Sequence, residues 1–278
     1  MTASKPPLRS AWGKADAQSG VFHHLAHHSA DVAAVFLALL DQPIFRARAE
    51  MALGRPLLRD ETICLAALVF LHDIGKLAPG FQAKAWPAGH GIDLRGHLEC
   101  GWYWSLGVTP QSLDGCATHL ITWDNLATWF LAIFAHHGRP VPAPGEGGSR
   151  LGQSSLAFPI LPYYNWKSEE LAMGQVLRYW FPQISMAVPP APEPEFLHFI
   201  CGMITLADWI GSDRRAFPFE ACLRNDYWLT SRSRAQARVE EIGLGPPPGF
   251  ARQGRVGIDI FSSQSKASTG GPRSGQRR

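Results

Sequence analysis

Apolar residues recur along this chain at intervals of three and four far more often than they alternate, the spacing of helices that bury one side. Between Phe22 and Leu40, the positions Val32, Val35, Phe36, Leu39 and Leu40 keep that period and predict a first helix. Pro56–Leu71 predicts a second, with Asp60 and Glu61 near its start, where the helix dipole favours acids. Residues 97–106 predict a third helix, Asp114–His137 a long fourth and 168–181 a fifth. Glu195–Ile210 predicts an apolar sixth and Tyr227–Ile242 a polar seventh. Pro- and Gly-rich breaks at 139–150 (RPVPAPGEGGSR) and 186–194 (MAVPPAPEP) separate the later helices. Few stretches alternate with period two and no internal repeat is visible, so the expected fold is all-α, with a single helical domain over 21–245. Residues 1–20 are expected to be loosely ordered. Residues 246–278, rich in Pro, Ser, Gly and Arg, are expected to form a flexible, disordered tail.

Composition narrows the class without naming a function. Hydrophobic residues make up 46% and charged residues 18%, the balance of a globular protein with a sizeable core. No run approaches the roughly 20 apolar residues of a membrane helix, and the start, MTASKPPLRSAWGK, has no apolar signal region. The five cysteines (Cys64, Cys100, Cys116, Cys201, Cys222) are scattered and never spaced as CxxC. That usage suits reduced thiols and predicts a cytoplasmic protein. The net charge of +3 resides in the tail: without residues 262–278, 22 basic residues face 23 acidic ones. Bulk charge therefore does not mark a nucleic-acid binder.

Candidate chemistry sits where the apolar pattern breaks. In LAALVFLHDIGKLAPGFQ (65–82) an apolar run ends abruptly in His72-Asp73, and a buried carboxylate is costly unless it is paired or metal-bound. Eleven histidines are many for this length, and most are clustered: His23, His24, His27 and His28; His72 beside Asp73; His97; His136-His137. Asp208 lies within LADWIGSD. Imidazole and carboxylate together form a nitrogen/oxygen donor set that suits transition metals. A lone histidine on an apolar face is ordinarily a core residue, but adjacent pairs shift that balance. Ten tryptophans, with Trp86, Trp102 and Trp104 nearest the HD pair, raise the possibility of base stacking, although aromatics at helical spacing more often fill a core.

The order H…HD…H…HH…D resembles the HD metal-dependent phosphohydrolase superfamily. Five pieces resemble one branch of it, the CRISPR-associated HD nuclease of type I systems: WGK (12–14), HHSADVAAVFLALL (27–40), HDIGKLAPGFQ (72–82), AHHGRPV (135–141) and ADWIGSD (207–213). That nuclease is normally the amino-terminal part of a nuclease-helicase. The resemblance implies an HD-domain helical bundle whose ligands fall on His28, His72, Asp73, His97, His136, His137 and Asp208. One divalent transition metal (Mn, Fe, Co or Ni) would be held by His28, His72, Asp73 and Asp208. A second would be held by Asp73, His97, His136 and His137, with Asp73 as the bridge and Lys76 facing the scissile phosphate. Alternatives stay open at three positions: His24 or His27 for His28, His90 for His97, and Asp213 for Asp208. RGHLE, around His97, also departs from the usual form of its element by an inserted glycine.

What the resemblance implies is a metal-dependent nuclease that cuts single-stranded DNA in CRISPR interference by two-metal phosphodiester hydrolysis. No GxxxxGK[ST] phosphate loop is present, so a separate helicase and an RNA-guided surveillance complex are the expected partners, and no membrane is involved. The alternatives are a phosphohydrolase of nucleotides or cyclic dinucleotides, and an inactive metal-bound scaffold left from a truncated nuclease-helicase.

Overall fold

Sixteen consecutive buried residues, Leu25–Leu40, form a helix with no exposed face. The structure is a computed structural model that describes residues 9–16, 18–106, 120, 123–141 and 160–244. In chain order its elements are β1 (Trp12–Ala15), β2 (Phe22–His24), α1 (Leu25–Leu40), α2 (Pro43–Leu53), α3 (Arg59–Phe70), α4 (Pro79–Gln82), α5 (His97–Leu106), α6 (Leu126–Phe134), α7 (Trp166–Trp180), α8 (Pro194–Gly211) and α9 (Tyr227–Glu241). Among the described residues the fold is all-α apart from one antiparallel two-stranded ribbon. Helix α1 is the axis: α3, α8 and α9 pack on it, while α2 leans on both α1 and α8. A helix that is apolar all round belongs in the centre of a bundle, and the run Val32–Leu40 is accordingly within 4% of complete burial.

The described helices follow the periodicity closely, with differences that have local causes. The first starts at Leu25 rather than Phe22, because Phe22–His24 pairs with Trp12–Ala15 as a ribbon. Trp12–Ala15 therefore forms a strand inside a segment expected to be loosely ordered. Helix α2, PIFRARAEMAL, was not foreseen; it buries fully only Ala49, so no apolar stripe announces it. Of the long fourth helix, 126–134 is helical, whereas 114–119 and 121–122 lie outside the described residues, as do most of the 139–150 break and the tail 246–278. Among the described residues no single helix is long and apolar enough to cross a membrane.

Two helix ends aim at one place. Helix α3 stops at Leu71, and the chain enters a 3-10 turn, Ile74–Leu77, before Pro79 opens α4. Helix α5 lies directly on that turn. A Cβ on Gly75 would come within 1.9 Å of the His97 carbonyl oxygen and 2.2 Å of the Gly101 amide nitrogen, so only glycine lets α5 approach this closely. Helix α6 packs on the other side of α5 and on α8. The ends of α3 and α6 and the start of α5 thus converge beside the first turn of α1, at His28.

A candidate metal centre

His72-Asp73 and His136-His137 each follow the last turn of a helix, α3 and α6, and both leading histidines are fixed in the same way. His72 Nδ1 lies 2.9 Å from the Val69 carbonyl, and His136 Nδ1 lies 2.6 Å from the Ile133 carbonyl. A carbonyl can only accept, so each Nδ1 carries a proton, and in the neutral ring that leaves Nε2 to present its lone pair, the orientation a ligand imidazole needs. Thr205 on α8 donates to the His136 carbonyl at 2.6 Å and locks the second turn from below.

Asp73 lies at the centre, and its two oxygens serve different neighbours. Oδ2 is 3.1 Å from His28 Nε2 and 3.2 Å from His72 Nε2. Oδ1 is 3.2 Å from His97 Nε2 and 3.8 Å from His136 Nε2. Asp208, on α8, closes the first side with Oδ1 3.4 Å from His28 and 3.8 Å from His72. His97 and His137 meet Nε2 to Nε2 at 3.1 Å on the second. The donor atoms fall into two groups, His28, His72, Asp73 and Asp208, and His97, His136 and His137, each lying within 4.8 Å of one another. All seven residues singled out from the sequence are therefore brought together.

The alternatives are placed elsewhere. His24 caps α1, its Nδ1 accepting the Ala26 amide at 3.1 Å. His27 stacks on Tyr227 with ring centres 3.8 Å apart, and His90 caps its own loop through the Ile92 amide. Asp213 pairs with Arg215 and Arg238 beyond the end of α8. Trp86 and Trp104 are core residues. Two groups escaped the sequence reading. Asp31 is fully buried and accepts from Ser231 at 2.8 Å and Tyr227 at 3.1 Å, with His23 at 2.8 Å, tying α1 to α9. Its signal was a lone acid within an apolar helix. Lys14 lines the cavity above the centre, and its signal was the WGK segment. Lys76 also differs from expectation: it is 5% exposed, and its ammonium is engaged by the Gly13 carbonyl at 2.8 Å and Asp73 Oδ2 at 2.5 Å.

Electrostatics follow from burying two carboxylates among imidazoles. Burial opposes ionisation of Asp73, but Lys76, His72 and His97 outweigh it and hold its pKa well below the usual carboxylate range. Asp208 is likewise held low, burial being outweighed by the neighbouring imidazoles of His28 and His72. Burial lowers His28 and His136 to about 4 and His97 to about 3, keeping these imidazoles neutral at pH 7. His72 is the exception: burial works against its charge, yet Asp73 and Asp208 raise it to about 9.

Despite these approaches, His72 Nε2, His136 Nε2 and Asp73 Oδ1 are buried with no hydrogen-bond partner. Leaving such atoms bare costs about 1–3 kcal/mol each. Divalent cations held by the two donor groups would satisfy these atoms, and the mixture of imidazole and carboxylate suits a transition metal better than magnesium. The residues present fit the group.

The sequence matches the family described as "Cas3, HD domain" over residues 12–217. This chain belongs to that family. It is thus a CRISPR-associated HD-type protein with the metal-dependent hydrolase architecture. It is 30% identical over 251 residues to the CRISPR-associated endonuclease/helicase Cas3 of Thermus thermophilus, a match covering 84% of this chain and 25% of that protein. The chain therefore spans about a quarter of that relative's length. Among solved structures it resembles the Thermus thermophilus Cas3 HD domain in the presence of Ni2+, with 26% identity over 80% of this chain and 85% of that one, and a TM-score of 0.50. Cas3 of T. fusca with ATP shares the fold at a TM-score of 0.60, with 24% identity over 87% of this chain and 28% of that one.

Proposed function

We propose that this Cas3 HD domain is a nuclease that cuts single-stranded DNA with two divalent metal ions. The observation that carries the reading is the division of Asp73, one oxygen toward His28 and His72 and the other toward His97 and His136. His28, His72, Asp73 and Asp208 would hold one ion; His97, His136 and His137, with Asp73 as the bridge, would hold the other. Ions bound there supply Lewis acidity that activates water and offsets charge building on a phosphodiester. The chain's own contribution is preorganisation. The carbonyls of Val69 and Ile133 fix the tautomers of His72 and His136. Lys76 positions Asp73 and ties β1 to it through Gly13. Above the centre a cavity of about 340 Å³, lined by Trp12, Lys14, Phe81, His97 and His137 among others, gives a strand access to it.

The solved relative in the presence of Ni2+ supports a transition metal such as Ni or Mn, Fe or Co. The shared fold of a chain in the "CRISPR RNA-guided surveillance complex, pre-nicking" supports action beside such a complex, in which guide pairing chooses the sequence. A helicase would act beside this domain. Purified protein loaded with Mn, Co or Ni is expected to cleave single-stranded DNA, with activity lost on chelation and in Asp73→Ala. Absence of cleavage with every metal would refute the reading, as would undiminished cleavage by Asp73→Ala. Turnover of small phosphoesters with DNA left intact would instead favour a nucleotide phosphohydrolase.

A further inference from the structure

The strand β1 brings a second lysine to the centre. Trp12 pairs with His24 and Lys14 with His23, so Gly13 is an extra residue, a bulge. Bulges re-aim the side chains around them. Glycine is required there by close packing: a Cβ at position 13 would stand 2.8 Å from the Cβ of His28. The segment is pinned on both sides of Gly13. Gln82 accepts the Trp12 amide at 3.0 Å and donates to the Trp12 carbonyl at 2.9 Å, while Lys76 Nζ donates to the Gly13 carbonyl. Lys14 is thereby held at the rim, with its ammonium 3.6 Å from Asp208 Oδ1.

The two lysines divide the work. The Lys76 side chain is 6% exposed and has two close acceptors inside the protein. The Lys14 side chain is 28% exposed, and its ammonium makes no hydrogen bond among the described residues, only the long ionic contact with Asp208. Asp208 is itself already served by Ser212 Oγ at 3.1 Å and by His28 at 3.4 Å. His28, His72, Asp73 and Asp208 would hold a cation whose charge would offset that of Asp208 and weaken its hold on Lys14, whose side chain lines the cavity. We infer that Lys14 is a phosphate-binding residue: it grips a non-bridging oxygen of the substrate phosphodiester at the cavity mouth, while Lys76 only positions Asp73. The inference rests on reading this site as that of a phosphodiesterase.

The test uses the full chain loaded with Mn, comparing wild type with Lys14→Ala, Lys14→Gln and Lys14→Arg. Orthophosphate binding is measured by calorimetry, alongside hydrolysis of single-stranded DNA and of bis(p-nitrophenyl) phosphate. One charge-assisted hydrogen bond corresponds to about a 10- to 100-fold change in affinity. Lys14→Ala and Lys14→Gln are therefore expected to weaken orthophosphate at least tenfold and to flatten the dependence of its affinity on KCl. They should raise KM more than they lower kcat, with metal content and melting temperature unchanged. Lys14→Arg should recover most of the affinity. Unchanged orthophosphate affinity in Lys14→Ala overturns the inference. So does loss of metal in that variant, which would make Lys14 a prop for Asp208. If wild type leaves DNA intact but Lys14→Ala still loses orthophosphate, the DNA reading falls and the role of Lys14 stands. If Lys14→Ala binds orthophosphate and cuts DNA as wild type does, the reverse holds.

Discussion

Replacing Asp73 with asparagine keeps its shape and removes the charge on which the whole centre depends. Two consequences follow, and they can be separated. The first is metal loss: the anion shared by both groups is gone and one of its two oxygens becomes an amide nitrogen that cannot ligate, while even partners outside the coordination sphere are worth 10- to 100-fold in affinity. Both ions are therefore expected to be absent after dialysis, as read by elemental analysis. The second appears in the metal-free protein. Lys76, 5% exposed and paired to Asp73 Oδ2, keeps only the Gly13 carbonyl as a close acceptor. Removing one partner of a buried ion pair costs about 3–5 kcal/mol. The cost is capped, because Lys76 can give up its proton instead: from the reference lysine pKa to pH 7.5 that takes about 4 kcal/mol. The expected destabilisation is thus about 3–4 kcal/mol, or roughly 6–16 °C in melting temperature for a domain of this size. The assay is thermal unfolding in excess chelator, with Lys76→Met and the double variant Asp73→Asn/Lys76→Met completing a cycle. The double variant should regain most of the lost stability and none of the metal. An Asp73→Asn protein that keeps two ions per chain, or a double variant no more stable than the single, would refute the account of Asp73 as bridge and of Lys76 as its charge partner.

Three other outcomes rest on separate contacts. Gly75→Ala should displace α5, since the new methyl would overlap the His97 carbonyl and Gly101; on the proposed two-ion reading, metal content is expected to fall by about one ion per chain while the helical circular dichroism persists. Asp31→Ala strips the acceptor from Ser231, Tyr227 and His23 and should cost about 3 kcal/mol or more in a urea titration with metal content intact; a loss under 1 kcal/mol would mean the clamp between α1 and α9 is unimportant. Acid stability should depend on His27, whose Nε2 accepts the Arg224 amide at 3.0 Å and whose pKa burial, with His24 and His23, lowers to about 3. A lowered histidine pKa leaves stability untouched above the unfolded value near 6.5 and removes it as pH falls from there toward 3. At pH 5 this amounts to about 2 kcal/mol. His27→Gln should lessen the fall in chelated protein between pH 7 and 5, and an identical slope in variant and wild type would contradict the assignment.

Much of the centre was legible because ligand chemistry and helix periodicity are local signals. An apolar run that stops at His72-Asp73, and another that stops at His136-His137, marks two helices ending on donors, and the structure shows those ends turned inward by identical Nδ1 contacts. His97 could be distinguished from His90 only through the resemblance; in space the difference is that α5 starts at His97 and lies on Gly75, while His90 belongs to a loop that caps itself. Asp31 was overlooked because two of its three partners, Tyr227 and Ser231, lie about 200 residues away on α9.

The sequence by itself determined the helices that an apolar stripe can announce, the donor set, and the family to which its order of motifs belongs. It could not determine which lysine is left open to the cavity. Lys76 stands three residues from Asp73 and Lys14 fifty-nine, so chain distance favoured Lys76, yet the close approach of Gly13 to His28 brings the ribbon over the centre. That approach buries the nearer ammonium beneath the Gly13 carbonyl and leaves the farther one at the mouth. Burial and access are properties of packed surfaces, and only the tertiary structure assigns them.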